Sequence, residues 1–187
     1  MLSLLCQVID LVLERDDPVF DSVQHQQNIA NLEQQIIKSQ QYPPQGADTE
    51  STETHDAVKI AELYRLATLI YLRRVAVGPS NLDVSPLVNG AFDILHDIRT
   101  CERPFPLFIV GLEARDDTER MLVLTVITRT LETRPLGNLT AVRRMLEAAW
   151  VRIDWSMNQP AEKQQANNWK GLIDGVVSVW RVPPSFT

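Results

Sequence analysis

The chain has few of the residues from which metal, nucleotide and catalytic sites are built. Its 187 residues include 2 cysteines, 3 histidines and 7 glycines. It contains no Cys-x-x-Cys pair and no His-Glu-x-x-His motif, and it has no glycine-rich phosphate loop or Gly-x-Gly-x-x-Gly turn. The histidines His25, His55 and His96 are scattered, and their spacing supports no Ser-His-Asp or Cys-His arrangement. The sequence therefore predicts no metal site, no cofactor and no catalytic constellation.

An excess of basic charge is also missing. The 18 lysine and arginine residues are outnumbered by 24 aspartate and glutamate residues, which gives a formal net charge of −6. Proteins that grip nucleic acid need clustered positive charge to neutralise phosphates. Arg143 and Arg144 are adjacent basic residues, but acidic residues flank them. We therefore favour a solvated helix face over a nucleic-acid patch at this position. We therefore expect no direct DNA binding by this sequence.

Long apolar runs and cysteine pairs are absent too. No run approaches the ~18 apolar residues that a membrane span needs, and no basic residue precedes the opening Met-Leu-Ser-Leu-Leu-Cys as it would in a signal peptide. We expect a soluble, intracellular protein without a membrane span. Cys6 and Cys101 lie far apart within helical patterns, so two buried free thiols are favoured over a disulfide.

The chain does contain enough apolar residues for a core, 44% of the total, arranged with helical periodicity. The fold class predicted from this pattern is all-α, a single helical domain of about seven to eight helices. The predicted helices cover 2–17, about 20–40, 57–77, a segment starting at Ser85-Pro86, the apolar stretch near 104–114, segments capped by Asp116 and Asn138, and about 165–180. For the last segment a short strand over 176–182 is the alternative, and the lack of a partner strand favours a helix.

Three parts follow from the order of these segments. Residues 1–41 are predicted to form an N-terminal helical hairpin that packs on the main body. Residues 42–56 are rich in proline, glycine and polar residues without apolar period, and we expect a flexible linker there. Residues 57–187 are predicted to form the helical core.

The stretch Pro104–Ala114 is the most apolar segment in the middle of the chain, and an almost entirely charged run follows it directly. This change is typical of a buried helix that leads into the exposed start of the next one. We expect Phe108 to lie in the core, between the helix containing Leu66 and Ile70 and the helix containing Trp150.

Glu113 is the single carboxylate inside that apolar stretch, and two interpretations stay open for it. A buried carboxylate with a raised pKa could serve as a catalytic acid. The simpler interpretation, which we favour, is that Glu113 is an ion-pair partner of Arg120 or Arg115.

An ordered set of short motifs then resembles a known family, the fungal-specific transcription factor domain. This domain is the helical regulatory region of zinc binuclear cluster regulators. The likeness extends from about residue 60 to 180. It is carried by Tyr64-Arg65-Leu66-Ala67, Ile70-Tyr71-Leu72, Pro106-Leu107-Phe108-Ile109, Gly111, Glu113-Ala114, Arg120, Gly137-Asn138, Leu146, the Trp150–Asp154 segment and Trp169.

The resemblance implies a mostly helical, non-enzymatic domain in a nuclear protein, possessing motif residues that are mainly structural. It also implies control of transcription through ligand sensing, dimerisation or co-regulator binding. The partners implied are a protein or a second copy of the chain, and a small apolar ligand is a further candidate. The six-cysteine zinc cluster of the family is missing from this sequence. The chain is thus expected to be the regulatory part of a longer regulator or a stand-alone helical adaptor that binds a protein partner without DNA. An enzyme that uses the core carboxylate is the third hypothesis.

Overall fold

A computed structural model of the chain describes residues 2–14, 22–39, 52–76, 83–157, 169 and 171–173. Within these residues all regular secondary structure is helical and no strand occurs, which confirms the all-α class. The helices are α1 Leu2–Glu14, α2 Ser22–Lys38, α3 Thr52–Tyr71, α4 Ser85–Asp97, α5 Pro104–Leu112, α6 Asp117–Thr133 and α7 Gly137–Met157, and a π-helical segment, Leu72–Ala76, continues α3.

The chain divides into two compact units, Met1–Ile98 and Arg99–Thr187. The first contains α1 to α4 and the second contains α5 to α7. The boundary falls inside the stretch 57–187, which the sequence predicts as one helical core.

In the first unit α1 and α2 pack together as the predicted hairpin, and each also contacts a later helical segment. α2 packs against α3, while α1 packs against the π-helical segment. Their apolar stripes are buried, with Val8 on α1 and Ile36 on α2 both 0% exposed. The hairpin thus completes the core around α3, whose Leu63 and Ile70 are also fully buried.

α3 begins at Thr52, five residues before the predicted start, so residues 52–56 of the predicted linker are helical. The prediction was wrong there because it read polar composition as loop. Threonine and acidic residues are also what a helix N-terminus prefers. The rest of the predicted linker, residues 42–51, lies outside the described part of the chain.

Ion pairs connect helices of the first unit. Arg73, in the π-helical segment, donates from Nε to Oε1 of Glu33 on α2 over 2.8 Å. Lys59 on α3 donates to Oδ2 of Asp97 at the end of α4 over 3.0 Å. The first pair joins the π-helical segment to α2, and the second joins α3 to α4.

The start of α4 differs by one residue from the predicted one. The sequence indicates Ser85 as the N-cap, whereas Val84 occupies that position and Ser85 is the first helical residue. The side chain of Asp83 explains the shift, because its Oδ1 accepts the N–H of Ser85 over 2.9 Å. The carboxylate of Asp83 thus accepts the N–H of Ser85, which is one of the first N–H groups of the helix and has no intrahelical acceptor.

The second unit is built on α5, and all nine of its residues, from Pro104 to Leu112, are buried. Pro104 and Pro106 lie in the first turn, where the N–H groups have no intrahelical acceptor. α5 packs against both α6 and α7, and Phe108 is 2% exposed. The predicted burial of the central stretch is confirmed. The predicted contact of Phe108 with the helix of Leu66 stays a prediction.

The starts of α6 and α7 follow side-chain capping, with one correction. Asp116 is the N-cap of α6 and accepts the N–H of Glu119 over 2.9 Å, as predicted. The carboxylate of Glu119 reaches back to the N–H of Arg115 over 2.6 Å, one residue earlier than in an ordinary capping box. Asn138 was predicted to cap α7, but α7 begins at Gly137, and Asn138 lies within its first turn.

The predicted last helix is described only in small part. Trp169 and residues 171–173 are helical, and Trp169 is 8% exposed. The remaining residues of the predicted span 165–180 lie outside the description.

Both cysteines are free thiols, as predicted, but only one of them is buried. Cys101 is fully buried, and its backbone N–H donates to Oγ1 of Thr130 over 2.9 Å. Cys6 is exposed on α1, so its predicted burial was wrong. Burial raises the pKa of the Cys101 thiol to about 11, because the apolar surroundings disfavour the thiolate.

We expect one fast and one slow thiol in the native protein. At pH 8 the raised pKa of Cys101 leaves about one thiolate per thousand molecules, and the side chain is also shielded from reagent. Labelling with a thiol-specific chromogenic disulfide should modify Cys6 rapidly, and the second thiol should react only when the protein unfolds. Cys6→Ser is the control and should abolish the fast phase. A second fast thiol in native protein would contradict the buried position of Cys101.

Candidate functional site

The residues that carry the family resemblance are divided between the two units. Tyr64, Arg65 and Leu66 lie on α3 in the first unit, and the others lie in the second unit. Those of the second unit are Pro106, Leu107, Phe108 and Gly111 on α5, Glu113 and Ala114 directly after it, Arg120 on α6, Trp150 on α7, and Trp169.

The motif residues of α3 have packing and surface roles. Tyr64 and Leu66 are buried, at 8% and 7% exposure. Arg65 forms an ion pair with Glu62 one turn earlier, donating from both Nε and Nη2. The hydrogen bond to Glu62 raises the pKa of Arg65 above its ordinary value. This pairing stabilises α3 itself.

In the second unit, α5 and α7 meet at Gly111. A β-carbon at this position would lie 2.7 Å from both Cδ atoms of Leu146 on α7, so only glycine permits this approach. The carbonyl oxygen of Gly111, at the end of α5, accepts a hydrogen bond from Nε1 of Trp150 over 2.9 Å. The buried indole therefore satisfies its polar group on the backbone that Gly111 brings close.

Arg120 of α6 also contacts Trp150. Its guanidinium carbon lies 5.5 Å from the centre of the Trp150 ring, within the range of a cation–π interaction. It also forms a bidentate ion pair with Asp154 of α7, with Nη1 and Nη2 donating over 2.9 and 2.6 Å. Arg120 thereby fixes α6 to the same turn of α7 that contacts α5.

The ion pair changes the protonation equilibria of both partners. Hydrogen bonding to Asp154 raises the pKa of Arg120, and hydrogen bonding from Arg120 lowers the pKa of Asp154. Arg120 also lies 3.9 Å from Asp117. Within the described part of the chain these two aspartates are its ion-pair partners. The predicted pairing of Glu113 with Arg120 or Arg115 stays a prediction.

Glu113 occupies the C-cap of α5 and is 7% exposed. Its backbone N–H donates to the carbonyl oxygen of Val110 over 3.0 Å, which closes the last turn. Ala114 likewise donates to Gly111, over 3.3 Å. The backbone of both residues thus ends the helix, and the role of the Glu113 carboxylate stays a prediction.

The Gly111–Trp150–Arg120–Asp154 cluster is a structural arrangement. The indole N–H of Trp150 and both Nη groups of Arg120 are hydrogen-bonded, while the buried Nε of Arg120 has no hydrogen-bond partner. The cluster presents no nucleophile next to a general base. Across the described residues, no group of three or more His, Cys, Asp or Glu side chains could hold a metal ion. None of the described helices combines the length and apolarity that crossing a membrane requires.

A shallow cleft of about 360 Å³ lies between α1 and α2 in the first unit. Five of its seven lining residues carry amide or carboxylate side chains. They are Gln7, Asp10, Asn28, Asn31 and Gln35. Polar walls of this kind do not suit a small apolar ligand, which needs mainly apolar contact.

Sequence reasoning identified Gly111, Arg120 and Trp150 through the resemblance, but it did not connect them. The partner of Arg120, Asp154, is 34 residues away, and the pair has no local spacing signal. One usable signal was present: Asp154 follows directly on the buried Ile153 in an otherwise amphipathic helix, so it lies at the edge of the packed face.

The ion pair predicts a stability difference that depends on pH. Because the folded-state pKa of Asp154 is depressed, its contribution is present above the unfolded pKa, near 4, and disappears as pH falls through the folded value. Asp154→Asn should therefore lower the melting temperature at pH 7, and the gap from wild type should close in strong acid. Glu147→Gln, an exposed carboxylate on the same helix, is the control. A gap that persists unchanged at low pH would contradict the ionic origin of the effect.

The sequence matches the fungal-specific transcription factor domain over residues 1–179, which covers both units. It is 32% identical over 97 residues to the transcription factor iacI of Pestalotiopsis fici, a match that spans 51% of this chain and 25% of that protein. It is 26% identical over 172 residues to an uncharacterized transcriptional regulatory protein of Schizosaccharomyces pombe, spanning 85% of this chain and 31% of that protein.

The matched part thus covers only a quarter to a third of the length of these two relatives. No solved structure gives a significant match.

Proposed function

The chain belongs to the family of fungal-specific transcription factor domains, and from this we propose that it acts on transcription through contacts with other proteins. The observation that carries the proposal is the family match across both helical units. Both relatives are transcription regulators by name, which supports a regulatory and non-enzymatic role. In this proposal the chain is the regulatory or effector domain of a fungal transcription factor.

Protein contact is the mode that the described residues favour. In the second unit the motif residues Gly111, Trp150 and Arg120 hold α5, α6 and α7 together as a scaffold. They do so through the Gly111–Trp150 hydrogen bond and the Arg120–Asp154 ion pair. The surfaces of such a scaffold remain for dimerisation or co-regulator binding. The cleft between α1 and α2 does not itself support sensing of a small apolar ligand, because its walls are mainly polar.

DNA recognition and nuclear localisation belong to the same proposal. With a net charge of −6, the chain has no excess of positive charge to bind phosphates. In the proposed role a separate DNA-binding module of a longer nuclear protein would supply that function. The alternative is a free-standing adaptor, and the coding sequence upstream of Met1 separates the two. A six-cysteine cluster in frame there would support the regulator, and its absence from a complete reading frame would support the adaptor.

A tethering experiment tests the regulatory role directly. The full 187-residue chain is fused to an unrelated DNA-binding module and expressed in a fungal host with a reporter gene under the matching operator. We expect reporter output to differ from that of the DNA-binding module alone, in either direction. Gly111→Leu, which disrupts the scaffold, should remove the difference.

The control variant for this experiment is Val23→Glu, an exposed substitution 73% accessible in the wild type. It should leave the reporter response unchanged at equal protein level, as measured by immunoblot. Reporter output equal to that of the DNA-binding module alone, with the fusion folded and present in the nucleus, would contradict the proposed function.

A further inference from the structure

α7 has two apolar faces, and only one of them is buried. The buried stripe packs against α5 and α6 and consists of Leu139, Val142, Met145, Leu146, Ala149, Trp150 and Ile153. On the opposite side Val151 is 67% exposed and Trp155 is 71% exposed. Ala148 is exposed as well. A helix with large apolar side chains on both sides is usual where a second element packs on its outer face.

The exposed residues follow the spacing of a helix-packing ridge. Arg144, Ala148, Val151 and Trp155 are separated by four, three and four residues, which places them along one line on the helix surface. Such a row is the seam through which two helices pack side by side. We name these four residues the outer row of α7.

The outer row of one α7 helix can pair with the outer row of a second α7 helix that runs in the opposite direction. We propose that it is covered by a second copy of this chain, with the two α7 helices antiparallel about a two-fold axis between positions 149 and 150. In this arrangement Ala148 faces the partner's Val151, and Arg144 faces the partner's Trp155. Each residue meets a different one, as an isologous interface requires, and the axis repeats both contacts.

The charges on and beside the row fit this pairing. Arg144 and Arg152 are exposed, and neither has an ion-pair or hydrogen-bond partner among the described residues. In the antiparallel pair the guanidinium of Arg144 would cover the exposed face of Trp155, a favourable cation–π geometry. Arg152 would lie opposite the partner's Glu147, the exposed carboxylate that pairs with Arg143 over 3.0 Å within its own helix. A parallel pair would instead bring Arg144 and Arg152 each against its own copy.

This inference rests on the proposed role in protein contact and names its partner and surface. An interface made from four positions of one helix is small, below the ~1,200 Å² of standard complexes, so the association should be weak. In a longer protein whose other parts also associate, the local concentration would make such a contact effective.

Sedimentation of the 187-residue chain between about 10 μM and about 1 mM, the range of weak dissociation constants, should show a monomer–dimer equilibrium. Trp155→Lys should weaken dimerisation by at least about tenfold, because it removes both aromatic contacts and places a cation opposite each Arg144. Val23→Glu, the matched exposed apolar residue on α2, should leave the equilibrium unchanged.

A charge exchange tests the register. Arg152→Glu alone and Glu147→Arg alone should each weaken the dimer, because like charges then face each other across the axis. The double variant Arg152→Glu/Glu147→Arg should restore it. A matching cross-linking test uses Ala148→Cys and Val151→Cys chains in a Cys6→Ser background. On oxidation, mixed chains should form a disulfide faster than either chain with itself.

The outcomes separate this inference from the proposed function. A chain that stays monomeric at about 1 mM overturns the dimer, while the tethered reporter can still respond. A dimer that Trp155→Lys leaves intact, or that cross-links fastest between identical positions, overturns the antiparallel α7 pairing. Restoration by the double variant together with preferential 148–151 cross-linking supports it.

Discussion

Phe108→Ala should lower the free energy of unfolding by about 3–5 kcal/mol, the usual range for removing a buried aromatic ring. The ring is 2% exposed and lies on α5, whose nine residues are all buried. Because surrounding helices cannot collapse fully into the space, the loss includes a cavity as well as lost burial. This is a large share of the ~5–15 kcal/mol that stabilises a typical domain. Equilibrium unfolding in urea measures it.

Trp155→Ala is the control for this experiment, because it removes a larger aromatic ring that is 71% exposed. At a protein concentration low enough for the chain to be monomeric, we expect its effect to stay within about 0.5 kcal/mol. A Phe108→Ala midpoint equal to that of wild type would mean that α5 is not the core element that its burial indicates. The stretch would then have to be a surface binding motif.

The difference between these two aromatic residues could be read in part from the sequence. Phe108 lies in a run in which every neighbour is apolar, so burial follows whichever way the helix turns. The abrupt change to charged residues at Arg115 and the Asp116 cap fixed where α5 ends and α6 starts. Signals of this kind are local, and the structure confirms them to within a residue or two.

The contacts that assemble the second unit could not be read in this way. The indole of Trp150 reaches the carbonyl of Gly111 across 39 residues, and Arg120 meets Asp154 across 34. Sequence spacing reports which residues share a helix face but gives no register between two helices. The prediction therefore looked for the partner of Glu113 among its near neighbours in sequence, Arg115 and Arg120, and did not name Asp154 as a partner of Arg120.

Local signals also failed at two helix starts and at one cysteine. Ser85 and Asn138 both look like N-caps, but Ser85 is the first residue of α4 and Asn138 is the second residue of α7. Cys6 was assigned to the core because cysteine is usually buried, although it lies on the exposed side of α1. At these positions the location of each residue in its helix decided its role, and the general preference of its residue type did not.

Gly111→Leu should be as damaging as Phe108→Ala, costing about 3 kcal/mol or more through overpacking. Even the first added carbon would lie 2.7 Å from two atoms of Leu146, and Leu146 is itself fully buried. The helices would have to separate, which would also lengthen the hydrogen bond from Trp150 to the Gly111 carbonyl. Loss of near-ultraviolet circular dichroism from Trp150 should accompany the lower unfolding midpoint.

Gly111→Ala and Gly90→Ala form a matched pair that separates sterics from helix propensity. Both glycines are helical, and alanine improves helix propensity by up to about 1 kcal/mol at either position. At Gly90 a β-carbon would meet Cδ1 of Leu66 at an ordinary 3.6 Å, so Gly90→Ala should be neutral or stabilising. Gly111→Ala should instead destabilise by about 1–2 kcal/mol, since overpacking exceeds the propensity gain. Equal effects of the two changes would contradict the close contact between α5 and α7.

A double-mutant cycle assigns the Gly111 effect to Leu146. Leu146→Ala alone should cost about 2–5 kcal/mol, because it leaves a cavity at a fully buried position. Combined with Gly111→Ala, it removes the atoms with which the new β-carbon collides, and that β-carbon fills part of the cavity. The double variant should therefore lose less stability than the two single losses added together, by about 1 kcal/mol or more. Additive losses would mean that α5 and α7 already stand far enough apart to hold both side chains, and that something other than this contact requires glycine at position 111.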